Sequence, residues 1–140
     1  MIYEGVLNMK KLVYFAIFEP TNTGYSIMFP DFPGCISVGD DFNHAIKMAK
    51  EALSLHYWGM EKDGDEIPVQ TLPPYEDMET GDIVVPIEIF PDMFREHMDN
   101  KAIKKTLTIP AWLNERAEAE EVNFSQLLQH SLKEHLGIAK

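Results

Sequence analysis

Cysteine is nearly absent from this chain of 140 residues: Cys35 stands alone, so no intramolecular disulfide can form and no cysteine cluster is available for zinc. A chain without that staple fits a reducing compartment, here the cytoplasm. Basic residues are scarce too, with 12 Lys and Arg against 23 Asp and Glu and a formal net charge of -11. No apolar run approaches the roughly 18 residues that a membrane span requires. The N-terminus lacks the basic-then-apolar pattern of a signal peptide, and no segment is repeated or of low complexity. What is present, with 45% hydrophobic content, is a globular chain sized for one ordinary domain or two small ones.

The charge is unevenly placed. Residues 1–100 carry 6 Lys and Arg against 18 Asp and Glu, while residues 101–140 carry 6 against 5. Lys101, Lys104 and Lys105 stand close together at the start of that tail. An acidic body suits a basic partner, and it equally keeps a chain soluble. Acidity over the whole chain argues against nucleic acid; the tail taken separately does not.

Along the body, Lys11 to Phe18 is rich in Val, Ile, Tyr and Phe and reads as a half-buried strand. Asn22-Thr23-Gly24 is a turn, Tyr25 to Phe29 a second strand, and Cys35 to Val38 a third after a loop punctuated by Pro30, Pro33 and Gly34. Phe42, Ile46, Ala49, Leu53, His56, Tyr57 and Met60 recur at helical spacing, with Asp41 as the N-cap. Gly64, Pro68, Pro73 and Pro74 mark an irregular connection. Ile83 to Phe90 is a fourth strand whose Pro86 places it at an edge or a bulge. The layout is α+β: residues 1–9 an extension or alternative start before Met9-Lys10-Lys11, a β-β-β-α-β domain over 10–90, a linker over 91–103 with a short helix near Met93 to Met98, and a β-α-α unit over 104–140.

That last unit is too small to close a core alone. Two copies pairing their strands would form an antiparallel ribbon of a width suited to a DNA major groove. In the strand Lys104 to Pro110, Leu107 and Ile109 share one face while Lys104, Thr106 and Thr108 share the other. Thr106 and Thr108 are the candidate base readers, and Lys104 reaches bases or phosphate. Pro110 suits a helix start. Asn123 with Gln126 makes a capping box for a second helix, whose inner stripe is Phe124, Leu127, Leu128, Ser131, Leu132 and His135. The backbone amides at Asn123, Phe124 and Ser125 form a candidate phosphate site. The plainer alternative is a dimerising module, or a cap on the body, that never touches DNA.

The two halves together resemble the HicB antitoxins. Gly24-Tyr25-Ser26-Ile27-Met28-Phe29-Pro30-Asp31-Phe32-Pro33-Gly34-Cys35, then Gly39-Asp40, Ala45 and Glu51-Ala52-Leu53, match the family's first domain. The stretch from Asn100 through Asn123-Phe124-Ser125 to Leu136 is similar to its ribbon-helix-helix domain. The resemblance implies a partial RNase H-like fold in the body, and a partner that is a small basic HicA-type ribonuclease toxin. It also implies operator DNA as the tail's ligand, with homodimers formed through the tail; dimer and tetramer both stay open. Phe29, Asp31, Phe32, Cys35, Asp40 and Asp41 are then the candidate toxin contacts; the plainer alternative is that Phe29 and Phe32 are core, Cys35 a buried small residue, and the acids turn formers and caps. Four positions depart from the family pattern: Glu121 where the turn between the tail helices usually has Gly, Lys105 at an inward strand position, Asp41 in place of the usual hydroxyl cap, and His44 where a Glu would complete a capping box.

A metal-dependent RNase H-like nuclease is the enzymatic alternative, since such chemistry needs several carboxylates converging on divalent metals. Asp31, Asp40, Asp41 and Glu51 are available, but no metal-binding motif fixes them, and the five histidines form no pair on one helical face. The expectation is therefore no catalysis, no metal and no cofactor.

Overall fold

A computed structural model describes residues 10–138; the proposed N-terminal extension over 1–9 lies outside the described residues. The chain divides into two compact units, one ending at Lys101 and the other beginning at Ala102.

The first unit is a four-stranded antiparallel sheet in the order β3-β2-β1-β4. Its strands are β1 (Leu12–Thr21), β2 (Gly24–Met28), β3 (Ile36–Gly39) and β4 (Ile83–Ile89). Helix α1 (Phe42–Asp63) follows β3 and packs across the sheet. Alternation along β1 sends Tyr14, Ala16 and Phe18 into the core beneath this helix, opposite Ile87, Val85 and Ile83 of β4. Phe18, Phe29, Phe32, Ile27, Leu53 and Ile89 are the largest fully buried side chains, each worth roughly 1.5–3 kcal/mol in area removed from water. Across the sheet, Met28 and Ile36 pair on the opposite face and remain exposed. Pro86 pairs opposite Phe15 in β4, the edge strand, where its missing donor costs no ladder bond on the outer side.

Helix α1 begins as its sequence signals, with the Asp41 carboxylate accepting the His44 amide at 2.8 Å, and ends at Gly64 in the left-handed conformation. Its buried face differs from the expected stripe. Ala45, Ala49, Leu53, Ser54 and Tyr57 are buried, whereas Phe42 and Ile46 are partly exposed. The reason is a close approach: a Cβ added to Gly39 at the end of β3 would come within 2.6 Å of the Ala45 amide nitrogen. Two residues without bulk let strand and helix touch there, and that rotates the helix toward Ala45.

The short helix expected near Met93 to Met98 forms and is longer, spanning residues 91–99. Helix α2 (Pro91–Asp99) starts with buried Pro91 and packs on α1. Arg95 bridges its own helix to α1 through Asp92 at 2.8 Å and Glu61 at 3.3 Å.

In the second unit, α3 (Ala111–Ala119) and α4 (Phe124–Leu136) form as expected, with Pro110 one position earlier, at the N-cap of α3. The expected strand over 104–110 is not formed: residues 101–110 pair with no strand among the described residues, and all ten are exposed. No described residue of this unit is buried; only Asn114, Ala117, Val122 and Leu128 are even half-covered. The stripe Phe124, Leu127, Leu132 lies open.

Candidate functional site

The loop from Phe29 to Cys35 is two linked turns, closed by the Phe32 amide donating to the Phe29 carbonyl at 3.1 Å and the Cys35 amide to the Phe32 carbonyl at 3.0 Å. This winding turns every third residue inward. Phe29, Phe32 and Cys35 are each at most 3% exposed, and the Phe32 ring meets Tyr14 edge-on at 4.6 Å and His56 at 5.8 Å. These three side chains therefore pack into the core of this unit, and Phe32 also borders the open space beside the loop. Burial also pushes the Cys35 thiol up to about 11, which keeps it protonated and unreactive at neutral pH.

Asp31 faces the other way. Its two oxygens accept from the Thr71 amide at 3.0 Å and the Thr71 hydroxyl at 2.5 Å. This pins the irregular connection after α1 onto the loop. Two further bonds fix the same connection to β1: the Tyr14 hydroxyl donates to the Pro68 carbonyl at 2.7 Å, and the Gln70 side-chain amide to the Val13 carbonyl at 2.6 Å. Burial, with Tyr57 and Asp31 nearby, raises the Tyr14 phenol above its usual value, so it stays a donor. Thr71 was not foreseen as a site residue. Its contact with Asp31 spans 40 residues and leaves no periodic signal.

Asp40 and Asp41 sit side by side but differ in role. Asp41 is committed to capping α1. The Asp40 carboxylate is almost fully exposed, 3.6 Å from His44 Nδ1, while its amide donates to that same nitrogen at 2.9 Å. The shorter contact makes Nδ1 an acceptor, so this His44 tautomer offers the carboxylate no proton. Of the three acids, Asp40 is openly exposed, Asp31 is half-buried and held by Thr71, and Asp41 is a cap. Among the described residues no three His, Cys, Asp or Glu side chains are grouped to hold a metal ion. No described helix is long and apolar enough to cross a membrane.

In the tail, Lys104, Thr106 and Thr108 are all exposed. The Asn123 side chain accepts the Gln126 amide at 3.0 Å and its carbonyl accepts the Leu127 amide. The amides of Phe124 and Ser125 thus stand ahead of the first bonded turn, at the positive end of α4.

Residues 14–131 match the sequence profile described as HicB-like antitoxin of bacterial toxin-antitoxin system. The chain belongs to that family. A protein of 14.9 kDa from the rep-hol intergenic region of Haemophilus phage HP1, of uncharacterized role, is 36% identical over 111 residues, covering 76% of this chain and 80% of its own. The crystal structure of antitoxin HicB3 superposes with a TM-score of 0.50 at 26% identity, over 92% of this chain and all of that one. A toxin-antitoxin complex from Streptococcus pneumoniae gives 0.53 at 23% identity over 90% of this chain and 99% of that one, which speaks to the fold. The family's role in toxin-antitoxin systems accords with a chain that acts by binding.

Proposed function

We propose that this protein neutralises a HicA-type ribonuclease toxin in the cytoplasm by covering its active site with the acidic, partly RNase H-like body. Through a ribbon-helix-helix tail, two copies would also bind operator DNA and repress their own operon. The observation that carries the reading is the contrast within one family member. The body has a closed core and a strong acid surplus, while the tail has a basic start and no buried residue. Pairing the 104–110 segments of two copies would supply the missing ladder and cover Leu107, Ile109 and the α4 stripe. It would leave Lys104, Thr106 and Thr108 facing the groove, with the α4 amides near a phosphate.

The test is a binding titration with the DNA upstream of the operon. Specific, salt-sensitive binding is expected, and it should fall to the non-specific level in the Thr106→Ala/Thr108→Ala variant. Lys104→Ala should lower the salt slope by about 1. Specific binding that survives the double threonine change would overturn the assignment of the ribbon. Co-expression with the neighbouring toxin frame tests the other half: growth should be restored by the full chain.

A further inference from the structure

Beside the Asp31 loop lies an open pocket of about 430 Å³. Its walls are Phe32, Met60, Ile67 and Val69, and two carboxylates, Asp31 and Glu66, lie among them. Among the described residues no lysine or arginine lines it, and His56, its ring edge-on to Phe32, is the one basic side chain in the wall. An entering cation would meet two acids and no permanently charged competitor.

Asp31 is already held in place. Thr71 takes one bond on each oxygen, and a carboxylate accepts about four, so one lone pair on each oxygen stays available in a fixed direction. A ligand binding there is spared the cost of ordering the acid. The walls select the ligand's shape. A small hydrated metal ion has no use for four apolar side chains. A neutral apolar group would strip water from Asp31 and Glu66 without replacing it. A long aliphatic stem ending in a cation satisfies both parts. Arginine fits better than lysine, because its planar, weakly hydrated guanidinium matches a carboxylate with two parallel donors.

We propose that this pocket receives an arginine side chain of the toxin that the body covers. The proposal rests on the toxin-binding reading above. It adds Glu66, Met60, Ile67 and Val69 to the contact surface and makes Asp31 the anchor.

Two measurements on the full chain decide it. In the first, amide spectra are recorded during titration with Nα-acetyl-arginine N-methylamide and with the citrulline analogue, which has the same shape without the charge. Saturable shifts at Met60, Ile67 and Val69 are expected with the arginine probe alone, and they should vanish in an Asp31→Asn/Glu66→Gln variant. Asp31→Asn retains a side-chain oxygen for Thr71, so an unmoved Thr71 amide in the probe-free spectrum certifies the loop. Equal responses to both probes, or none in the wild type, overturn the pocket. In the second, affinity for the cognate toxin should fall at least about tenfold in the double variant, most at low salt. Unchanged affinity overturns the pocket and leaves the toxin-binding reading standing. A wild-type chain that fails to bind the toxin overturns that reading itself.

Discussion

The body encloses Phe18, Phe29, Phe32 and Leu53 almost completely, whereas the tail leaves Leu107 at 58%, Leu127 at 55% and Leu136 at 66% exposure. Both halves are patterned for burial, yet only one achieves it within a single chain. The difference follows from size and layering. A sheet with a long helix on one face closes a core over about ninety residues, but two short helices have no second layer to pack against. The body's stability thus belongs to the chain itself, whereas the open tail stripe is what the proposed pairing of two copies would cover.

The sharpest way to break that contrast is a charge in the tail's stripe. Leu128, half-covered within its own chain, would be enclosed in a paired tail. Leu128→Asp would then bury an unpaired carboxylate at a cost of several kcal/mol. The expected result is a monomer by sedimentation, loss of the α3 and α4 helical signal, and an unchanged melt of the body. A variant that keeps both its mass and its helicity would show that the tail needs no second copy.

The body answers to a smaller, opposite probe. Gly39→Ala would force a methyl against the Ala45 backbone, an overpacking expected to cost about 1–3 kcal/mol. The denaturation midpoint of the body should fall while the mass of the assembly stays constant. An unshifted midpoint would mean that β3 and α1 can separate freely.

Local signals made much of this fold legible. Alternation marked the strands, Pro86 marked an edge, and Asp41 and Asn123 capped the helices they precede. Each such signal acts over a few residues. The missed features depend on distant chain. Which face of α1 is buried was settled by Gly39 across a strand-helix contact, in favour of Ala45 over Ile46. The wall of the Asp31 pocket comes from a proline-rich connection held by Thr71, where no periodicity operates. For Phe29 and Phe32 the sequence left core and interface both open, and the loop's turn geometry points their side chains inward. The 104–110 segment has no partner strand among the described residues.

The smallest expected effect concerns the turn between the tail helices. Glu121 has φ 55, the left-handed conformation that favours glycine. Its amide donates to Glu118 at 3.0 Å and that of Val122 to Ala117 at 3.0 Å, the paired bonds of a Schellman cap. The motif forms despite its residue, with Ala117 and Val122 half-covered beside it. A side chain there costs about 1–2 kcal/mol, and glycine's greater freedom in the unfolded chain returns part of that. Glu121→Gly should therefore stabilise the tail by about 0.5–1 kcal/mol, read as a higher midpoint in the tail's helical melt. Charge is the competing explanation, because Glu118, Glu120 and Glu121 crowd the negative end of α3. Glu121→Ala separates the two: it removes the carboxylate and keeps the strain, so it should gain only a few tenths of a kcal/mol. If alanine matches glycine, the penalty at this turn is electrostatic and the left-handed geometry costs the tail little.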